Sequence, residues 1–262
     1  MSRRFIAAAA LAAGLACAGA APAADQGGRR VVVAVEDDYP PFNYIDPASR
    51  RAVGWDYDAV RELARRLHFT PEFREISWDS MVQAVATGQF DLAANGITVT
   101  PERARVVGYS RSYAEVHQRL MVRKDERRFS SLGEFARTTG ARLGAQKGNT
   151  NYSRAEEMVG SSRIVAYDEF GELVQALING DLDAVIIDDV GGQGYVGANA
   201  ERLRLLEGAL AGQPLAFIFP KGSPLGAALD GAIEAMRADG TLERLNARWF
   251  SPHFRVEAGA GP

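Results

Sequence analysis

Polar side chains follow two buried strands of the sequence, where they could bind a small molecule together. Residues 95–98, Asn-Gly-Ile-Thr, come directly after one predicted strand, and Arg103 follows a few residues later. A second predicted strand ends in Asp188. Open α/β sheets bind ligands beyond the carboxyl ends of their strands, and a guanidinium can hold a carboxylate through two hydrogen bonds. We therefore expect a small-molecule site formed by these two segments.

The two segments belong to an internal repeat. Residues 81–92 and 173–184 share Val, Gln, Ala, Gly and Asp at matching positions. Each copy predicts a helix, a glycine C-cap, an aspartate and a buried strand. Units of this kind resemble one another often, so common ancestry of the two copies stays open. As architecture, the repeat predicts two similar α/β lobes that face each other across one cleft.

Composition and motifs argue against several other chemistries. One cysteine and three scattered histidines favour neither a disulfide framework nor a metal site, and we expect no metal and no cofactor. Residues 192–197 match GxGxxG, but two aspartates just upstream would repel a pyrophosphate. Residues 108–112 lack the last glycine of a GxSxG nucleophile elbow. A net charge of -3 gives no basic stripe for nucleic acid.

Short strands and helices alternate through the chain. Residues 31–35 are a β-branched run that predicts a fully buried strand, and residues 56–67 have apolar positions at helical spacing. Residues 100–103, Thr-Pro-Glu-Arg, have the pattern of a helix start, with the arginine in the first turn. This alternation predicts an α/β fold with mixed, mostly parallel sheets.

Residues 1–23 predict a secretory signal peptide. Two arginines precede an apolar run of 12 residues, and small residues then lead to an expected cleavage site after Ala23. The run is shorter than the roughly 20 residues of a membrane-spanning helix, so we expect an exported chain without membrane insertion. Cys17 lies within this segment, and Gly14, three positions before it, disfavours lipidation.

A series of motifs extends over nearly all of residues 31–250. In order they are Tyr39-Pro40-Pro41-Phe42, Val53-Gly54-Trp55-Asp56, Trp78-Asp79, Phe90-Asp91-Leu92, the run from Asn95 to Arg103, Gly148-Asn149-Thr150, the run from Asp183 to Asp189, Ala238-Asp239-Gly240-Thr241-Leu242 and Trp249-Phe250. In this order and spacing, the sequence resembles the periplasmic amino-acid-binding proteins of the family-3 extracellular solute-binding group, which serve ABC importers.

The resemblance implies a fold and a function. The family fold has two α/β lobes joined by two hinge strands and closing over one ligand. We expect the first lobe at residues 24–114 and 214–262 and the second at residues 115–213. The resemblance implies a periplasmic monomer that binds an amino acid and delivers it to the subunits of an ABC permease.

The resemblance also implies how the backbone groups of an amino acid would be held. Arg103 would bind the α-carboxylate, assisted by the hydroxyl groups of Thr98 and Thr150 and the backbone of Gly96. Asp188 would accept the α-ammonium group. A helix N-cap is the alternative role for Asp188, and it is compatible with ligand binding.

The remaining site residues would surround the ligand side chain. Tyr39 and Trp78 resemble an aromatic pair that encloses it, and Glu36 would bind its tip. Asn95 and Asn149 belong to the same motifs and complete the expected set. An acid beside an aromatic pair favours arginine, lysine, ornithine, histidine or glutamine over aspartate or glutamate.

Two alternatives use the same fold or compartment. Cyclohexadienyl dehydratases resemble these binding proteins, and such an enzyme would need Glu36 or Asp189 as an acid–base group with a raised pKa. A periplasmic sensor domain is the other alternative. The intact Thr-Pro-Glu-Arg segment suits capture of a zwitterion better, so we predict a binding protein rather than an enzyme. Residues 110–113, Ser-Arg-Ser-Tyr, depart from relatives, which commonly have aspartate at the second place, near the hinge.

Overall fold

The computed structural model describes residues 27–210, 212–251 and 254–256. The expected signal peptide and Cys17 lie outside the described residues. The strands are β1 (Arg30–Val35), β2 (Asp38–Tyr39), β3 (Asn43–Ile45), β4 (Ala52–Val53), β5 (Thr70–Glu75), β6 (Leu92–Ala93), β7 (Val107–Tyr109), β8 (Ala114–Arg123), β9 (Leu143–Gln146), β10 (Ile164–Tyr167), β11 (Ala184–Asp188), β12 (Leu203–Leu205), β13 (Gly212–Leu215) and β14 (Ile218–Pro220). The helices are α1 (Trp55–Leu67), α2 (Trp78–Ala86), α3 (Leu132–Arg137), α4 (Thr150–Val159), α5 (Phe170–Asn179), α6 (Asp189–Ala198), α7 (Leu225–Ala238) and α8 (Thr241–Trp249).

The first lobe is built on a sheet of strand order β5-β1-β6-β14-β7. Strand β1 runs parallel to β5 and β6, whereas β14 is antiparallel to β6 and β7. Val31 and Val33 belong to the core that contains α1, and Ala34 belongs to the core beneath α2. Because β1 is covered on both faces, its sequence is an unbroken apolar run, as predicted.

The second lobe is built on a sheet of strand order β10-β9-β11-β8-β12, with β13 also paired to β8. Strand β9 is parallel to β10 and β11, and β8 is antiparallel to its partners β11, β12 and β13. Both sheets are therefore mixed, and the antiparallel pairs are more prominent than the sequence predicts. They arise because β8, β13 and β14 belong to the segments where the chain crosses between the lobes.

Two crossings connect the lobes and lie side by side. The first runs from β7 to β8 and the second from β13 to β14. The N–H of Tyr113 donates to the carbonyl of Leu215 at 3.0 Å, and the N–H of Ser110 donates to the carbonyl of Phe217 at 3.0 Å. The N–H of Arg111, the second residue of the Ser-Arg-Ser-Tyr segment, donates to Asp230 at 2.7 Å. The expected lobe limits at residues 115 and 213 stay a prediction.

The helix start expected at residues 100–103 forms only a short turn. The hydroxyl oxygen of Thr100 accepts a hydrogen bond from the Arg103 N–H at 3.2 Å, as a cap would. However, the helical segment is a single 3₁₀ turn, Arg103–Arg105, because the chain enters β7 two residues later. Among the described helices, none combines the length and the apolar character needed to cross a membrane.

Candidate ligand-binding cleft

A small cavity, with about 20 Å³ accessible to the centres of water molecules, lies between the two lobes. Four strands end at it: Glu36 follows β1, Asn95 follows β6, and Gln146 and Asp188 end β9 and β11. This is the position that open α/β sheets give to ligands. The residues expected from the sequence that line the cavity are Glu36, Tyr39, Trp78, Asn95, Gly96, Thr98, Arg103, Asn149, Thr150 and Asp188, and the lining also contains Gln146, Asn151 and Phe170.

Arg103 lies at one end of the cavity and reaches both lobes. Its Nη1 donates to the carbonyl of Thr98 at 3.2 Å, and its Nη2 donates to the carbonyl of Gly148 in the second lobe at 3.3 Å. The guanidinium carbon lies 4.8 Å from the centre of the Trp78 ring, which is a cation–π distance. Burial lowers the pKa of Arg103, but an arginine in a protein stays charged. This end of the cavity therefore presents a fixed positive charge.

Two hydroxyl groups meet near the same end. The hydroxyl of Thr98 in the first lobe and that of Thr150 in the second both donate to Oε1 of Gln213, at 3.5 and 3.3 Å. Gln213 belongs to β13, beside one of the crossings. These hydroxyls can instead turn toward an anion, because a hydroxyl hydrogen rotates to suit its acceptor. Gln213 was not expected from the sequence.

Asp188 offers an acceptor to the cavity from the second lobe. Its Oδ2 accepts a hydrogen bond of 2.9 Å from the hydroxyl of Tyr39, whereas its Oδ1 is buried and has no hydrogen-bond partner of normal geometry among the described residues. Asn151 Oδ1 is likewise buried and has no hydrogen-bond partner among the described residues. Burial raises the pKa of Asp188 to about 6, although Tyr39 and the nearby Asn151 side chain favour the charged form. Asp188 also occupies the N-cap position of α6, but its side chain makes no cap bond.

Glu36 lines the cavity, also borders an outer pocket beside Asp38 and Glu169, and is bonded by two amides. Its carboxylate accepts from Asn95 Nδ2 at 3.0 Å and from Gln146 Nε2 in the second lobe at 2.8 Å. Burial, with smaller contributions from the charges of Glu169 and Asp38, raises the pKa of Glu36 to about 8. A buried acid whose pKa is near neutral can gain or lose its proton when a charged ligand arrives.

A buried pair below the cavity holds the backbone at Glu36. Asn43 Oδ1 accepts from the N–H groups of Glu36 and Asp37 at 3.3 and 2.8 Å, and its Nδ2 donates to Asp56 at 2.8 Å. The N–H of Gly96 also favours the charged form of Asp56. Burial nevertheless raises the pKa of Asp56 to about 7. One carboxylate thus supports the backbone at both Glu36 and Gly96.

Both aromatic residues of the expected pair line the cavity and make further contacts with the protein. Tyr39 stacks with Phe42 and with Phe170, at ring-centre distances of 5.3 and 4.9 Å, and its hydroxyl is occupied by Asp188. Trp78 lies against the guanidinium of Arg103. Phe170, at the start of α5, carries no sequence signal beyond being apolar. Gln146 is a strand-end residue just before the Gly148-Asn149-Thr150 motif, so its position could have identified it.

The described part of the chain shows neither a metal cluster nor a nucleotide-binding turn at the glycine pattern. Among the described residues, no cluster of histidine, cysteine or acidic side chains has the arrangement of a metal site. The GxGxxG pattern at residues 192–197 lies inside α6, rather than in the turn before a helix that a pyrophosphate needs.

Two α/β lobes, two paired crossings and a polar cleft with separated charges define a solute-binding protein. The chain belongs to family 3 of the bacterial extracellular solute-binding proteins, whose family model matches residues 31–252. The resemblance inferred from the motifs and the two-lobe fold are thus confirmed.

Individual relatives have similar length and fold. The chain is 27% identical to the arginine-binding extracellular protein ArtP of Bacillus subtilis, over 90% of this chain and 92% of that protein. An ancestral arginine-binding protein bound to arginine superimposes with a TM-score of 0.79 at 28% identity, covering 85% of this chain and 98% of that one. The ancestral amino-acid-binding protein AncCDT-1, a precursor of cyclohexadienyl dehydratase, gives a TM-score of 0.78 at 28% identity, covering 85% and 96%.

Proposed function

We propose that this protein binds a cationic amino acid in its interlobe cleft and delivers it to an ABC permease from the periplasm. The observation that carries the proposal is the separation of the charged groups that line the cavity. Arg103 acts electrostatically on Asp188, whose Oδ1 has no hydrogen-bond partner of normal geometry among the described residues, whereas the charges that act on Glu36 are those of Glu169 and Asp38. The names of the relatives, which bind arginine or other amino acids, support the same class of ligand.

The α-carboxylate of the ligand would bind at the Arg103 end. The guanidinium supplies the charge, and the hydroxyls of Thr98 and Thr150 would turn from Gln213 toward the carboxylate oxygens. Charge-assisted bonds of this kind are about twice as strong as neutral ones. The α-ammonium would donate to Oδ1 of Asp188, a buried acceptor that has no hydrogen-bond partner of normal geometry in the described part of the chain.

The ligand side chain would extend to Glu36. A guanidinium or ammonium tip would compensate the carboxylate that burial disfavours, which gives a cationic tip an advantage over a neutral one. An acidic tip would lie beside a second carboxylate and would be excluded. Glutamine is the neutral alternative, because its amide can donate to Glu36 without charge.

Closure would follow from contacts on both lobes. Arg103 and Glu36 belong to the first lobe, whereas Thr150 and Asp188 belong to the second. A ligand that binds all four has higher affinity for the closed state and shifts the population toward it. The closed molecule then presents both lobes to the permease in one fixed arrangement.

Thermal-shift screening over the twenty amino acids and ornithine, followed by calorimetry, tests the proposal. We expect the largest stabilisation from arginine, lysine or ornithine, and a Glu36→Gln variant that loses this preference while it still binds glutamine. A matched control is Glu157→Gln, which lies on the exposed side of α4. Stabilisation by aspartate or glutamate alone would contradict the assignment of Glu36.

An acid in the cleft also fits a second candidate function, that of a dehydratase. Glu36 has a pKa near neutral, as a general acid requires, and AncCDT-1 has the same fold. Incubation with prephenate separates the two functions. Turnover that depends on Glu36, without stabilisation by any amino acid, would favour the enzyme.

A further inference from the structure

Three glycines of the second lobe leave no room for a side chain against the first lobe. A Cβ atom at Gly171 would lie 2.9 Å from Oδ1 of Asp38. A Cβ atom at Gly191 would lie 2.6 Å from the Tyr39 ring, and one at Gly194 would lie 2.3 Å from the backbone oxygen of Pro40.

None of these glycines is needed for the conformation of its own helix. Gly171 lies in α5, Gly191 and Gly194 lie in α6, and none of them has a positive φ. Alanine is a better helix former than glycine, so the lobe itself would favour alanine at each position. What excludes the methyl group at Gly191 and Gly194 is the first lobe in its closed position.

The same part of the first lobe is bonded to α5 and α6. Asp38 Oδ2 accepts from the N–H of Gly171 at 2.7 Å, and the Tyr195 hydroxyl donates to the backbone oxygen of Asp38. The side chain at the N-cap position of α5, Glu169, makes no cap bond. A carboxylate from the other lobe therefore occupies the positive end of this helix.

Of the residues in these contacts, only Tyr39, against which Gly191 packs, lines the cavity. Asp38, Gly171, Gly191 and Gly194 do not line the cavity, and Asp38 and Gly171 face an outer groove instead. The glycine pattern at residues 192–197 also gains an explanation, because Gly192 packs on Leu205 within its own lobe while Gly194 accommodates the first lobe.

We propose that Gly171, Gly191 and Gly194, together with Asp38, form a closing surface that holds the two lobes together without touching the ligand. The inference rests on the proposed function, since it describes how closure sets the affinity for an amino acid. The contacts contribute to the closed state whichever ligand is inside. The closing surface therefore scales the affinity for every ligand by one common factor, whereas a residue that touches the ligand changes the ratio between ligands.

Gly194→Ala tests the closing surface, with Gly133→Ala in α3 as the matched control. A Cβ atom at Gly133 would lie 3.5 Å from its nearest neighbour, the end of the Arg137 side chain, which is ordinary contact. We expect the dissociation constants of Gly194→Ala for arginine and lysine to rise by the same factor, about tenfold or more. Without ligand, its melting temperature should equal or exceed that of the wild type. Gly133→Ala should bind like the wild type.

Asp38→Asn provides a second variant that introduces no steric conflict. Because the charge of Asp38 contributes to the raised pKa of Glu36, the variant is compared with the wild type at pH 9, above the Glu36 pKa of about 8. There it should raise both dissociation constants by one factor, and small-angle scattering should show less compaction on addition of arginine. Two results would overturn the closing surface while leaving the proposed function intact. One is wild-type affinity in Gly194→Ala, and the other is a changed ratio of the dissociation constants for arginine and lysine in either variant. If the wild type binds no amino acid but binds prephenate, the proposed function fails, and Gly194→Ala should still weaken the binding of prephenate. Unchanged affinity for prephenate in Gly194→Ala would then overturn the closing surface as well.

Discussion

The side-chain amide of Gln146 in the second lobe donates a hydrogen bond of 2.8 Å to the carboxylate of Glu36 in the first lobe. The acid that would bind the ligand tip is thus also a contact between the lobes. Gln146 Nε2 donates to the carbonyl of Asp168 as well, and Gln146 Oε1 accepts from Asn149. The orientation of the amide is therefore determined, and closure brings a defined donor to Glu36.

Binding of a cationic amino acid should release a proton from Glu36. Its pKa is about 8 without a cation, so at pH 7 the protonated form predominates, and a ligand cation favours the carboxylate. The affinity for arginine should rise between about pH 6 and pH 8 and level off above. Calorimetry at pH 7 in buffers of different ionisation enthalpy measures the released protons. Equal heats in all buffers would contradict the prediction, and Glu36→Gln should abolish the release.

Without ligand, stability should fall as the pH rises toward 8. The pKa values of Glu36 and Asp56 are raised to about 8 and about 7, above their ordinary values of 4.5 and 3.8. The folded state thus binds more protons than the unfolded state between these values, and the contribution is lost as the pH passes the folded pKa. Urea unfolding from pH 5 to pH 9 measures the trend. Asp56→Asn should reduce the decrease of the unfolding free energy near pH 7. An unfolding free energy of the wild type that increases from pH 5 to pH 8 would contradict the prediction.

Replacement of Arg103 by alanine should cost about 2–5 kcal/mol of binding free energy, as for a truncated buried charge pair. Arg103→Lys keeps the charge but loses the planar, two-pronged donor, so it should recover only part of the affinity. Calorimetry with arginine measures both variants. Unchanged affinity in Arg103→Ala would rule out the carboxylate assignment.

Tyr39→Phe removes one hydrogen bond and keeps the stacked ring. The bond to Asp188 favours the carboxylate, so the pKa of Asp188 should rise above about 6 in the variant. We expect a loss of about 1–2 kcal/mol in the free energy of ligand binding at pH 7. The pH below which protonation of Asp188 weakens binding should also be higher in the variant. A pH series of dissociation constants tests this, with Tyr152→Phe, outside the cavity lining, as control. If affinity decreases at the same low pH in the variant and in the wild type, the role assigned to Tyr39 is wrong.

The sequence predicts the parts of the site that depend on strand ends. Asn95 and Asp188 could be assigned because each follows or ends a buried apolar run, and such ends meet at one edge of a sheet. Glu36 was assigned through the resemblance to the family. Gln213 could not be assigned, because its position depends on how the second crossing passes between the lobes. Phe170 was missed for a similar reason, since an apolar residue at a helix start does not reveal which lobe it will face.

Local chemistry and tertiary packing also disagree at two positions. Thr100 forms its expected cap to Arg103. However, the helix ends after one turn, because the residues that follow it belong to β7. Trp78 was expected to face the ligand, and its ring also lies against the guanidinium of Arg103, a contact that the sequence does not predict. Which face an aromatic ring presents is decided by long-range neighbours.

The paired crossings determine what kind of motion the molecule can make. Because the two segments are hydrogen-bonded side by side at Ser110–Phe217 and Tyr113–Leu215, they resist shear and twist more than bending. We expect the lobes to rotate about a single axis along this ribbon. Gln213 lies beside that axis and is bonded to one threonine from each lobe. Closure would then be described by one angle between the lobes. A permease that detects this angle would respond in the same way whichever amino acid caused the closure.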